Sequence, residues 1–225
     1  MANSYQQLQD DVCAYLNRRD IVSLIPGWTS MVETEIAETL RARCMVTFGT
    51  QNIDNAYITM PPNFATMESI RDNRTGELLE LKDEWSGSWV DPYVPSGWYA
   101  GAYYQINPQS PCYAYRLLQD CVEFLPHPYI PDPPDPSWAP QQVLMGWYAK
   151  PVPLVNPSDT NVVLDNLYGV YLFGLCRQGA IFELDDDRAA QMDAQYSKVV
   201  TQANLWKQSS DYSGAPMRAE LACHF

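Results

Sequence analysis

Apolar residues recur at about every fourth position near both ends of the chain and at every second position in between. Leu8, Val12 and Leu16 fall four apart, which places them on one face of a helix. Ahead of them, Ser4-Tyr5-Gln6-Gln7 has the capping-box pattern, in which the hydroxyl and the glutamine each cover an orphan backbone amide. Arg18-Arg19-Asp20 breaks the run. A second helix is expected from Pro26, because a proline in the first turn gives up an N–H that has no partner there. Its stripe is Trp28, Val32, Ile36 and Leu40, and the acids Glu33, Glu35 and Glu38 precede the bases Arg41 and Arg43, the order that the helix dipole favours.

From Val46 the period shortens to two. Tyr57–Met60, Glu77–Leu81, Cys121–Leu125 and Val143–Ala149 are rich in strand formers, and Asn73-Arg74-Thr75-Gly76 supplies turn residues between two of the strands. An antiparallel sheet is expected. Two long loops interrupt it. Trp85 to Tyr104 gathers Trp85, Trp89, Tyr93, Trp98, Tyr99, Tyr103 and Tyr104 among glycines and serines, and Pro126 to Pro140 has seven prolines in fifteen residues. Helical spacing then returns: Leu167 to Leu175 is apolar on nearly every side, with Gly169 and Gly174 allowing close approach, and predicts a central buried helix. Asp185-Asp186-Asp187 caps a last helix striped by Met192, Tyr196, Val199, Ala203 and Trp206.

The pattern predicts an α+β fold. Residues 1–45 and 155–208 form a four-helix bundle, residues 46–154 an inserted antiparallel sheet domain with the aromatic and proline-rich loops, and residues 209–225 a docking tail. In that tail Ser209 to Gly214 is expected not to sustain a helix, and Tyr212, Met217, Leu221 and Phe225 are the candidate anchors for a partner's groove. The tail is expected to be disordered in the free subunit and ordered on its partner.

Composition narrows the function. With 27 acidic against 14 basic residues the net charge is −13, which removes the electrostatic term that dominates nucleic-acid affinity. The same charge suits a wall past which DNA slides, because like charges repel phosphate. The N-terminus is polar and lacks an apolar run, so the chain reads as cytoplasmic, and Val162 to Leu184 carries Asp165, Arg177, Glu183 and three glycines, which disfavours a membrane span.

Six scattered cysteines without a C-x-x-C pair read as free thiols. With a hairpin turn near Leu118-Gln119, Cys121 faces about Arg116 and Cys112 about Leu125. Only two histidines occur, His127 in the proline-rich loop and His224 next to the end, and neither phosphate-cradling glycine motifs nor G-x-S-x-G accompany them. No catalytic, cofactor or metal residues are expected, the three consecutive aspartates being read as a cap. The aromatic loop with Asp83, Glu84 and Asp91 also fits a sugar-binding platform of a virion or, more remotely, a glycan-cleaving carboxylate pair. Its rings fit equally a contact with a neighbouring subunit, as aromatic side chains concentrate at interfaces.

Several segments resemble a known family. Val32-Glu33 with Leu40-Arg41-Ala42-Arg43, Met60-Pro61-Pro62-Asn63-Phe64, Trp147-Tyr148, and Asp185-Asp186-Asp187-Arg188-Ala189 with Tyr196 are similar to motifs of the tail-adaptor (head-completion) proteins under the portal of tailed phages and gene transfer agents. Methionine and asparagine in the proline segment depart from the family's L-P-x-D-F. The resemblance implies a structural connector in the virion neck, assembled in the host cytoplasm. It further implies a ring of twelve copies docked on the portal through the C-terminal segment, tail or neck proteins on the opposite face, and a channel through which DNA passes without sequence-specific binding. It implies no enzyme, no cofactor and no membrane.

Overall fold

The computed structural model describes residues 3–82, 112–125 and 140–212. Helices α1 (Tyr5–Leu16) and α2 (Ile25–Thr39) open the chain, followed by a 3-10 turn at Arg43–Met45. Seven strands follow: β1 (Val46–Ile53), β2 (Tyr57–Thr59), β3 (Phe64–Asp72), β4 (Glu80–Leu81), β5 (Ala114–Leu117), β6 (Cys121–Leu125) and β7 (Gln141–Ala149). Helices α3 (Val162–Asn166), α4 (Tyr168–Phe182) and α5 (Asp186–Tyr212) close it. The fold is α+β. The chain divides into two compact units, Met1–Val46 with Ala149–Phe225, and Thr47–Tyr148.

In the helical unit the side-chain oxygens of Ser4 and Asp185 accept helix-start amides as expected. Ser4 Oγ accepts the N–H of Gln7 at 3.2 Å, and Asp185 Oδ1 accepts that of Arg188 at 3.0 Å. Asn17 ends α1 in the left-handed conformation, φ 55°, its N–H returning to Cys13 and Ala14. Among the described residues the unit holds five helices, since the apolar stretch breaks at Leu167 (φ −135°, ψ 48°) into α3 and α4. Helices α1, α2, α3 and α5 all pack on α4. Its buried face is Val170, Tyr171, Gly174, Leu175, Cys176, Gly179 and Ala180. No helix among the described residues is long and apolar enough to cross a membrane.

The two ends of the chain interlock through backbone as well as side chains. The N–H groups of Tyr5 and Gln6, which a helix start leaves without partners, donate to the carbonyls of Asp159 and Pro157 at 2.9 Å each. Asn3 reaches the carbonyl of Leu164.

The strand region departs from the expected antiparallel sheet. Among the described residues there are two sheets, ordered β1-β7-β3 and β2-β6-β5-β4, and β4 runs parallel to β5. Parallel neighbours need a long crossover, and the connection from Lys82 to Tyr113 that carries the aromatic loop supplies it. Glu77–Leu81 is not one strand. Its first half returns along β3, with Leu79 donating to Ile70 and Arg71 bridging Leu78, and its second half joins β5. Between them the turn at Asp72–Gly76 forms as its residues predict: Asp72 Oδ1 accepts from Arg74 and Thr75, and Gly76 takes φ 75°.

The β5–β6 hairpin has a register two residues away from the expected one. Arg116 faces Glu123 and Ala114 faces Leu125. The difference lies in the turn, where Leu118 donates to Cys121 and leaves only Gln119 and Asp120 in the loop. The segment Met60-Pro61-Pro62-Asn63-Phe64 carries the chain from one sheet to the other. Its prolines supply no ladder donors, and Asn63 takes the left-handed turn at φ 60° before Phe64 opens β3.

Candidate functional site

Two polar networks hold the helical unit in shape. The first centres on Asn161, a buried residue whose side chain makes four hydrogen bonds. Its Oδ1 accepts the N–H groups of Val163 and Leu164 at 3.1 and 2.9 Å, capping α3, and its Nδ2 donates to the Val152 carbonyl and the Tyr171 hydroxyl, both at 2.8 Å. Tyr171 in turn donates to Glu33 Oε1 at 3.4 Å, and the same oxygen accepts the N–H of Leu154 at 3.0 Å. An acid of α2 is thereby tied to α4 and to the strap leading into α3.

Burial raises the pKa of Glu33 above the ordinary glutamate value, with the bonds from Leu154 and Tyr171 acting against it. An acid whose folded pKa is raised favours the native state when protonated, so stability contributed here falls as pH rises from the ordinary value through the folded one. Glu33→Gln keeps an oxygen for both donors and removes the charge. It is expected to raise the melting temperature at pH 7–8 by about 2 °C, a gain that vanishes below about pH 4. A difference that persisted at pH 3.5 would assign the effect to something other than ionisation.

The second network surrounds Arg177 of α4. Its guanidinium pairs with Glu35 of α2 and, at 2.9 Å, with Asp193 of α5, and lies 4.7 Å from the centroid of the Tyr196 ring. Nearby, Arg41 turns its guanidinium back on α2 and donates to the carbonyls of Ala37, Glu38 and Leu40, which have no partners within the helix. Asn204 of α5 completes this join by accepting from the Arg41 N–H at 2.8 Å and donating to the Thr39 carbonyl.

Chemistry-bearing groups are otherwise sparse. Among the described residues no cluster of histidine, cysteine or acid could hold a metal ion. Cys13, Cys44, Cys121 and Cys176 are free thiols, and burial pushes the Cys112 and Cys176 thiols up to about 12, which keeps them protonated and unreactive. His127, His224, and the aromatic candidates Trp85, Trp89, Tyr93, Trp98, Tyr99 and Tyr103 lie outside the described residues, as do Met217, Leu221 and Phe225 and the side chain of Trp206. Tyr212 is the last residue of α5, which runs four residues past Gln208. Ser209 to Tyr212 was expected to be non-helical. It extends a helix already formed, and propagation costs far less than starting a new one.

One surface feature gives no sign of itself in the sequence. The α1–α2 turn and the α4–α5 turn meet at one end of the unit. Arg18 bonds Glu183 at 3.4 Å, Arg188 donates to the Tyr15 carbonyl at 2.7 Å, and the Trp28 and Phe182 rings lie 5.9 Å apart. Val22, Leu24, Ile181, Phe182 and Leu184 are all exposed at this end.

The family described as SU10 adaptor protein matches residues 3–220. The chain belongs to the SU10 adaptor protein family. This is a family of phage head-tail adaptors, and membership implies work alongside other head and tail proteins within a virion. A search of the curated proteins found no match. Three of the residues on which the sequence resemblance rests join the helices of the helical unit. Glu33 anchors the first network, Arg41 closes α2, and Asp185 caps α5.

Proposed function

We propose that the chain is a structural connector subunit, twelve copies of which close into a ring on the portal. In each copy α1, α2, α4 and α5 act as a four-helix bundle. Residues 209–225 reach into portal subunits through Tyr212, Met217, Leu221 and Phe225, the opposite face receives tail or neck proteins, and DNA passes through the channel without sequence-specific contact. The observation that carries this reading is the family match over residues 3–220. The net charge of −13 agrees with it, since a like-charged wall does not hold phosphate. One kind of chain makes a ring through a heterologous contact that closes, and Trp85, Trp89, Tyr93, Trp98, Tyr99 and Tyr103 are the side chains offered for that contact. The role calls for no catalytic residue and no cofactor.

Electron microscopy of the purified chain with and without its portal tests the reading. A ring on the portal is expected. Truncation after Tyr212 should leave the melting temperature unchanged and weaken portal binding at least tenfold. If the truncated chain joins the portal with unchanged affinity, the docking role of the tail is wrong. If neither form binds, the connector reading fails.

A further inference from the structure

The apolar end of the helical unit is organised against what a free subunit would favour. Leu184 is 87% exposed and sits at φ 58°. A residue with a Cβ is strained in that conformation, whereas glycine, the usual occupant just past a helix, is not. Phe182, two residues earlier, is 53% exposed, and Ile181, Val22 and Leu24 on the same two turns are exposed as well. The rim is acidic. Glu183 is paired with Arg18 and Arg188, while Asp185, Asp186 and Asp187 follow Leu184 directly and are exposed.

That charge selects the occupant. Nucleic acid is repelled by an excess of acids. A protein surface holding an apolar socket edged by lysine or arginine satisfies both the rings and the acids. Position selects further. Helix α5 begins at this end and runs 27 residues, about 40 Å at 1.5 Å per residue, so the C-terminal segment leaves the helix far from Leu184.

We propose that the end formed by the α1–α2 and α4–α5 turns is the docking surface for the tail-side neck protein, with Leu184 entering a basic-edged apolar socket on that partner. The proposal rests on the connector reading, in which the C-terminal segment holds the portal.

Leu184→Gly tests it without threatening the fold, because glycine relieves the backbone and a side chain 87% exposed has little internal contact to lose. The variant subunit should melt no lower than the parent. Phage carrying it should accumulate filled heads that retain the adaptor but lack tails, with infectious titre down at least 100-fold. Asp186→Asn with Asp187→Asn should give the same arrest more weakly. Tailed particles at normal titre from Leu184→Gly would overturn the proposal. So would variant heads that have lost the adaptor, since the surface would then serve the portal or the ring. Failure of the connector reading looks different, because the adaptor would be missing from heads made with the unaltered chain.

Discussion

A chain lacking residues 1–45 is expected to show no cooperative melting of its C-terminal helices. The deletion removes Leu8, Val12, Leu16, Ile21, Ile25, Val32, Ile36 and Leu40, each 3% exposed or less. At about 1.5–3 kcal/mol for each buried aliphatic side chain, their loss exceeds the roughly 5–15 kcal/mol by which a whole domain is stable. The polar side makes matters worse. Tyr171 and Arg177 lose Glu33 and Glu35, and buried donors without acceptors carry their full desolvation cost. Circular dichroism during heating should show a broad, sloping loss of helix in place of a transition. A melting temperature close to that of the full chain would mean that the two ends do not depend on each other.

Gly174→Val is expected to destabilise the unit by about 3 kcal/mol, enough to be read directly from denaturant unfolding. A Cβ at Gly174 would lie 2.9 Å from Val32 Cγ1 and 3.4 Å from the Tyr196 ring. Val32 is fully buried in α2, and a β-branched side chain in a helix has essentially one rotamer, so it cannot swing aside. Gly179 offers an instructive contrast. Its Cβ would fall closer still, 2.3 Å from Leu16 Cδ1, but that methyl is the end of a longer side chain and can turn away. Gly179→Ala should therefore cost less than Gly174→Ala, although simple distance ranks them the other way. Equal costs would show that α4 shifts as a body in response to either change.

Most of the helices were legible because their starts and stripes are local signals, whereas the break at Leu167 that separates α3 from α4 gave none. Ser4, Pro26 and Asp185 mark starts through the chemistry of unpaired amides, and the four-residue spacing of Val32, Ile36 and Leu40 survives into the structure as a buried face. The strand region was less legible because pairing is not local. Phe64–Asp72 shows half-buried positions in succession rather than alternation, so it gives no period-two signal. Whether β4 meets β5 parallel or antiparallel is set by the path of a long connection. Gly169, read as a site of close approach, has only ordinary contacts at 3.6 Å or more, whereas Gly179, passed over, is the tighter position. The network of Asn161, Tyr171 and Glu33 joins residues more than a hundred positions apart, and no spacing rule connects them. Leu184 was invisible for a different reason, since leucine rarely adopts a left-handed backbone and nothing in its neighbours announces that it does so here.

The interleaving of the two chain ends has a consequence for synthesis. Residues 1–46 emerge from the ribosome first but complete their unit only with residues from 149 onward, roughly a hundred residues and, at about 5–20 residues per second, some 5–20 s later. During that interval α1 and α2 have no α4 to cover them, and the strands of the inserted unit are complete before α4 begins. The end that carries Leu184 does not exist until α4 and α5 are in place, so a nascent chain has nothing to offer a partner there before it is nearly finished.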